Sequence, residues 1–166
     1  MYTTYNDLHI AVIAKLWEDK DELYTQIEEQ IRAILDAHPG RRATFHFSPR
    51  DFDMIPHHVI NSINRTRRPK IRRKMTSTVT YLSTDVLRWV CDEYETIIID
   101  PFLRPKHTEF YYLSKKIIKQ CNFIIFYTEH GDKEIFDLVD YANECIMEGD
   151  EKYLFFFPYR IKGPYF

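Results

Sequence analysis

The feature that most constrains this chain is the alternation of short apolar segments with longer amphipathic ones. The apolar segments are rich in β-branched and aromatic residues and predict strands at 8–14, 43–47, 77–82, 95–100, 122–127 and 153–157. Continuous apolar runs of this length are typical of strands buried on both faces of a parallel sheet. Apolar side chains recurring at three- and four-residue spacing predict helices between them, at 18–37, 52–66, 85–94, 108–119 and 133–147.

Parallel strands are joined by crossover connections, and right-handed crossovers place helices on both faces of the sheet. The sequence therefore predicts an α/β fold: a Rossmann-like, doubly wound, three-layer α/β/α domain with a mainly parallel sheet of about five to six strands. The 166 residues, 45% of them hydrophobic, suffice for one core. We expect residues 1–157 to form a single domain and residues 158–166, with two prolines and a glycine, to form a short C-terminal tail.

Composition excludes several classes of protein. No segment approaches the roughly 18 consecutive apolar residues of a membrane helix, and the acidic first thirty residues do not resemble a signal peptide. The three cysteines, Cys91, Cys121 and Cys145, are widely spaced and argue against a disulfide framework or a Cys-x-x-Cys metal site. We therefore expect a cytoplasmic protein with reduced thiols, no membrane partner and no metal.

Three segments carry a resemblance to a known family: residues 44–53, 94–100 and 117–127. In these segments and in the order of its elements, the chain resembles the SLOG superfamily, the Rossmann-like group that contains the DprA and LOG proteins. It is most similar to the short single-domain bacterial members described as nucleotide-binding. The resemblance covers roughly residues 8–157, and it implies a bacterial or phage source and a nucleotide site at the carboxyl edge of the sheet.

The chain departs from that family where a phosphate would be held. Ser48 and Pro49 stand at the family's glycine pair, and the turn after the first strand also has no glycine. Backbone amides approach a phosphate closely only when no β-carbon intervenes, and proline has no amide hydrogen to donate. The family's Arg-Asn pair is replaced by Ser114 and Lys115, and its strand-initiating aspartate by Asn122. The sequence thus predicts altered ligand contacts.

Polar residues follow several predicted strands, at the edge where ligands of doubly wound folds sit. Gly131 is the single glycine of its loop, which makes that loop the best remaining place for an anion or a ribose. An N-terminal helix cap at Asp51 and an ordinary turn before the helix at 133–147 are the alternative interpretations. The predicted ligand-binding residues are Ser48, Arg50, Asp51, Asp53, Asp85, Asp100, Lys115, Thr128, Glu129, His130 and Gly131.

A run of seven cations without an intervening acid suggests a second kind of partner. Such a run could neutralise phosphates of a nucleic acid, although it has no interleaved aromatics and no helix-turn-helix. A solvated connector that faces acidic helices of this chain or of a second subunit explains the same pattern. The residues are Arg65, Arg67, Arg68, Lys70, Arg72, Arg73 and Lys74.

Four functions follow from these patterns. We expect a domain that binds a nucleotide or nucleotide-derived small ligand without turnover and without a resident cofactor. The alternatives are a degenerate member acting as a protein-interaction or assembly module, for example in a homo-oligomer, nucleic-acid binding through residues 65–74, and a LOG-like N-glycosidic hydrolase. Hydrolysis is least favoured because it needs a glycine-rich phosphate loop together with a positioned acid and arginine. A serine nucleophile is not indicated either, since Gly-x-Ser-x-Gly is absent.

Overall fold

A computed structural model describes residues 7–15, 20–48, 55–77, 95–98, 109–128 and 131–157. Its strands are β1 (Leu8–Lys15), β2 (Ala43–Phe47), β3 (Arg72–Ser77), β4 (Glu95–Ile98), β5 (Phe123–Thr128) and β6 (Tyr153–Phe157). Its helices are α1 (Lys20–Ala37), α2 (Ile55–Asn64), α3 (Glu109–Gln120) and α4 (Lys133–Met147). The predicted helix at 85–94 and the predicted tail at 158–166 lie outside the described residues.

The six strands form one sheet in the order β4-β3-β2-β1-β5-β6, and all five neighbouring pairs are parallel. From β1 the chain adds strands in one direction as far as β4. It then returns to the other side of β1 to form β5. The direction of winding therefore reverses between β1 and β5, as in doubly wound folds, and the predicted α/β architecture is confirmed.

Helices cover both faces of the sheet. Alternate β1 residues Leu8, Ile10, Val12 and Ala14 pack in one apolar cluster with α1 and α2. The intervening apolar residues of β1 pack in a second cluster with α3 and α4, which makes the three layers. None of the described helices is long and apolar enough to cross a bilayer.

The local sequence explains why α1 is a helix. Its buried residues recur at three- and four-residue spacing, and Asp21 and Glu22 lie in the first turn, where carboxylates stabilise the helix dipole. Gly40, with φ of 78°, lies in the connection that follows; few other residues adopt this left-handed backbone conformation. The buried residues of α1 are Leu23, Ile27, Ile31, Ile34 and Leu35.

The start of β3 differs from the sequence prediction. The strand begins at Arg72, five residues before the predicted start at Ser77. The prediction was wrong because it assigned the charged residues to a connector. In the structure the buried side chains of Ile71 and Met75 anchor this segment, and Phe47 of β2 pairs with Met75. Long aliphatic stems let Arg and Lys sit in a strand while their charges reach a polar environment.

Candidate functional site

The point where the sheet reverses its winding brings the ends of β1 and β5 together. Lys15 ends β1, Thr128 ends β5, and the two residues are direct partners in the parallel register. Ligands of open α/β sheets bind in the crevice outside the carboxyl ends of the strands at this switch point. We therefore take the Lys15–Thr128 pair as the centre of the candidate site.

Lys15 is held by two carboxylates at the start of α4. Its Nζ lies 2.5 Å from Oε1 of Glu134 and 3.7 Å from Oδ2 of Asp132, and 5.4 Å from the ring centre of Phe110 on α3. All three charged side chains are only partly exposed, at 24% for Lys15, 26% for Asp132 and 17% for Glu134. Two carboxylates thus face one ammonium group, which leaves this part of the crevice with an excess of negative charge.

The first turn of α4 satisfies its own backbone amides. The carboxylate of Asp132 accepts hydrogen bonds from the amides of Glu134 at 2.8 Å and Ile135 at 3.4 Å. The amide of Asp132 donates to Oγ1 of Thr128 at 3.1 Å, and Gly131 has φ of 70°. A phosphate at a helix start needs these amides and is disfavoured by an acidic cap, so this turn is a poor phosphate site.

A buried polar layer adjoins the switch point on the α3 side of the sheet. His46 in β2 is 1% exposed, Ser48 immediately after β2 is 7% exposed, and Thr76 in β3 is fully buried. Helix α3 packs on β1 and β3, and its Ser114 is 4% exposed. Among the described residues, the apolar cluster on this side contains none from β2 or β3. We refer to His46, Ser48, Thr76 and Ser114 as the buried polar layer.

His9 extends this layer along the sheet through a contact with His46. Nδ1 of His9 lies 2.9 Å from Nε2 of His46, so one ring donates and the other accepts. Burial, followed by the charges of His9 and Lys74, lowers the pKa of His46 to about 3, and burial also lowers the pKa of His9. Both rings are therefore neutral at neutral pH.

Three polar atoms near these residues are buried and have no hydrogen-bond partner among the described residues. They are Nε2 of His9, Nδ1 of His46 and Oγ1 of Thr76. Buried polar groups in folded proteins nearly always have a partner, which is protein, ordered water or ligand. The unsatisfied atoms of His46 and Thr76 therefore mark a place where a polar molecule would gain hydrogen bonds.

The structure brings some predicted ligand residues together and separates others. Thr128 and Gly131 lie at the switch point, and Ser48 belongs to the buried polar layer at the end of β2. Lys115 instead places its ammonium over the rings of Tyr141, at 4.6 Å, and Tyr111, at 5.6 Å, between α3 and α4. The remaining predicted residues lie outside the described parts of the chain: Arg50, Asp51, Asp53, Asp85, Asp100, Glu129 and His130.

Several residues of the candidate site were not predicted as such from sequence. Lys15, Asp132 and Glu134 meet only because β1 and β5 are neighbours, although a cation at the end of a central strand was a usable signal. Thr76 lay in a segment predicted to be a connector. The strand positions of His9 and His46 were visible, but their contact depends on the register of β1 and β2.

The predicted basic run is divided by the structure. Arg65, Arg67, Arg68 and Lys70 lie in the connector between α2 and β3, whereas Arg72, Arg73 and Lys74 belong to β3. Within β3, Arg73 donates to Oδ1 of Asn61 on α2, and Lys74 pairs in register with His46. The run is therefore part connector and part strand.

Metal and thiol chemistry receive little support from the described residues. No group of three or more His, Cys, Asp or Glu side chains among them could hold a metal ion. The rings of His57 and His58 stand edge to face with centroids 5.7 Å apart. Burial raises the pKa of the Cys121 thiol, which disfavours the reactive thiolate.

Two comparisons with known proteins give no match for this chain. No protein-family model matches it, and no curated protein matches its sequence. Its likeness to the SLOG superfamily therefore stays a prediction from the segments named above. The geometry of the switch point and of the buried polar layer is therefore the basis for a proposed function.

Proposed function

We propose that this chain is a SLOG-like domain that binds a nucleotide or nucleotide-derived small ligand at the carboxyl edge of its sheet, without turnover. The observation that carries the proposal is the buried polar layer beside the switch point, with unsatisfied atoms on His46 and Thr76. Each unsatisfied buried group costs about 1–3 kcal/mol of folding free energy. A ligand that supplied the missing donors and acceptors would recover part of that cost on binding.

The charges at the switch point favour the nucleoside part of such a ligand there. Asp132 and Glu134 outnumber Lys15, and Asp132 already accepts from the first amides of α4. Carboxylates accept hydrogen bonds from ribose hydroxyls, as acidic residues do in other dinucleotide sites. We therefore place a ribose, and not a phosphate, against Lys15 and α4.

Two further observations favour binding over hydrolysis. The imidazoles of His9 and His46 bond to each other, and the pKa of about 3 makes His46 a poor proton donor at neutral pH. The raised pKa of the buried Cys121 makes its thiol a poor nucleophile. The described residues thus supply hydrogen-bonding partners in preference to acid, base or nucleophile.

The test is calorimetric titration of the purified protein with NAD, ADP-ribose, AMP and a cyclic nucleotide, together with melting temperatures. We expect at least one of them to release or absorb heat and to raise the melting temperature. Thr76→Val removes one hydroxyl without changing side-chain shape, and should weaken that ligand at least about fivefold. Thr25→Val on the exposed surface of α1 is the matched control and should leave affinity unchanged.

The alternatives give different results. Absence of heat and of any melting shift with all four compounds would refute the proposal and favour the protein-interaction module. Release of free base from a nucleoside monophosphate would instead establish the hydrolase. Equal loss of affinity in Thr76→Val and Thr25→Val would place the ligand away from the buried polar layer.

A further inference from the structure

A second surface lies at the opposite edge of the sheet, where the strands begin. Arg42 immediately precedes β2, and Arg72 is the first residue of β3. The connector that leads from α2 into β3 carries Arg65, Arg68 and Lys70. All five side chains are exposed. We call these five residues the basic surface.

The connector that carries three of these cations is fixed to the body of the protein. The side-chain amide of Asn64 donates to the carbonyl of Ile71 at 3.1 Å, and its oxygen accepts from the amide of Ile71 at 2.7 Å. Arg68 Nη1 donates to the carbonyls of Asn64 at 3.1 Å and Arg67 at 2.7 Å. Because both ends of the connector are held, little conformational entropy is lost when its charges meet a partner.

A hydrogen bond joins the two loops that form the surface. Nη2 of Arg67 donates to the carbonyl of Arg41 at 2.9 Å, which brings the α1–β2 loop beside the α2–β3 connector. Arg42 in turn accepts from the amide of Leu8 at 2.8 Å, so the α1–β2 loop is anchored on β1. Arg42 thus belongs to the same surface as the connector, although twenty-two residues separate it from Arg65 in the sequence.

The basic surface contains no acid of its own. The sequence has no Asp or Glu between Asp36 and Asp51, or between Asp53 and Asp85. Further along the same edge, acids collect before β6, where Glu148 and Glu151 are exposed. The starts of β2 and β3 are therefore rich in exposed cations, whereas Asp7 precedes the neighbouring β1 and exposed acids precede β6.

We infer that the basic surface binds the phosphate backbone of a nucleic acid duplex. Arginine and lysine on rigid loops neutralise phosphates without reading bases, and these two loops carry no exposed aromatic residue on which unpaired bases could stack. Binding should therefore be sequence-independent, and should favour a duplex over a single strand. The surface differs from the predicted basic run, because it gains Arg42 and loses Arg67, Arg73 and Lys74.

Position in the fold makes this binding independent of the proposed small-ligand site. The strands β2 and β3 have five and six residues, and at roughly 3.3 Å per residue the two edges are about 20 Å apart. A small ligand at the carboxyl edge therefore should not compete with a duplex at the amino edge. Failure of one proposal leaves the other testable.

The experiment is fluorescence anisotropy of labelled mixed-sequence duplexes of about 20 base pairs, one DNA and one RNA, at several salt concentrations. If all five cations contact phosphates, affinity for B-DNA should fall about 500-fold between roughly 50 and 200 mM salt. The variant Arg65→Glu with Lys70→Glu should lose at least about tenfold in affinity at the lower salt, and its salt dependence should become shallower. Comparison of the DNA and RNA duplexes shows which of the two is preferred.

The matched control is Lys116→Glu with Lys133→Glu, which makes the same change in net charge at exposed positions on α3 and α4. It should retain more of the wild-type affinity than the basic-surface variant, and circular dichroism should show that both variants fold. Equal losses in the two variants would overturn the inference, and so would the absence of detectable binding to both the DNA and the RNA duplex at the lower salt. A variant that changes only the oligomeric state would show that the surface faces acids of a second copy, which also overturns it.

Discussion

Lys152 offers the sharpest test of how this fold is held together. Its side chain is 3% exposed, and its Nζ donates to the carbonyls of Ile118 at 2.7 Å and Cys121 at 2.6 Å, with Lys119 at 3.4 Å. These carbonyls belong to the last turn of α3 and the residue after it, where backbone acceptors have no partner within the helix. The ammonium group of Lys152 therefore completes the C-terminal end of α3.

Replacement of Lys152 by Met keeps an unbranched apolar stem and removes the donor. Each of the two short bonds to a charged donor is worth roughly 1.5–3 kcal/mol, and burial of the ammonium opposes part of this, because burial also lowers the pKa of Lys152. We expect a net loss of about 3 kcal/mol in the free energy of unfolding. For a domain of this size that corresponds to a fall of about 6–12 °C in melting temperature.

Urea unfolding followed by circular dichroism measures this loss, with an unchanged m-value as the check that only stability has changed. Lys119→Met is the control, since Lys119 is 52% exposed and its bond to Asp150 is a surface ion pair worth less than about 1 kcal/mol. If Lys152→Met were as stable as the wild type, desolvation of the ammonium would outweigh its hydrogen bonds. The ammonium group of Lys152 would then not stabilise the C-terminal end of α3.

Three further predictions concern the polar residues inside the fold. Thr76→Val should raise the free energy of unfolding of the ligand-free protein by about 1 kcal/mol, because an unsatisfied hydroxyl is removed; a loss of stability in thermal melts would show that Oγ1 is hydrogen-bonded. Burial lowers the pKa of His46 to about 3 in the folded protein, whereas in the unfolded chain the residue takes up a proton below about pH 6.5. At pH 5 the unfolded state is therefore favoured, and the free energy of unfolding should fall by about 2 kcal/mol. Urea unfolding at pH 7 and pH 5 measures this loss, and the His46→Gln variant should not show it. If the free energies of unfolding of the variant and of the wild type changed equally with pH, His46 would not be buried in its neutral form. Asn64→Ala should lower the free energy of unfolding by about 2–4 kcal/mol, since two hydrogen bonds to the main chain of Ile71 are lost. An unchanged midpoint of urea unfolding would show that Asn64 does not stabilise the connector.

Local patterns sufficed to predict most elements of the fold. Helices α1 and α4 follow from apolar spacing and acidic first turns, and β2 and β6 have the predicted bounds. The start of β3 could not be predicted in this way, because Arg72, Arg73 and Lys74 have the composition of a connector. Only pairing with β2 places them in the sheet.

The candidate site could be predicted only in part, for a similar reason. Thr128 and Gly131 were expected at the carboxyl edge because the ends of parallel strands share an edge. The contact of Lys15 with Glu134 joins residues 119 positions apart, and the contact of His9 with His46 depends on strand register. A single sequence contains no local signal for such pairings, whereas the sheet order determines both.

The central place of β1 has a consequence for the newly made protein. On one side β1 pairs with β2, and β2 is synthesised soon after β1. On the other side β1 pairs with β5, which is synthesised much later. His9 and Asn122, which are hydrogen-bonded to each other beside this second pairing, are 113 positions apart. Until residues 123–128 have been synthesised, β1 has an unpaired edge of backbone donors and acceptors flanked by Ile10 and Val12. A nascent chain halted before that point would expose an apolar strand suited to recognition by chaperones, and the protein would complete its fold late in translation.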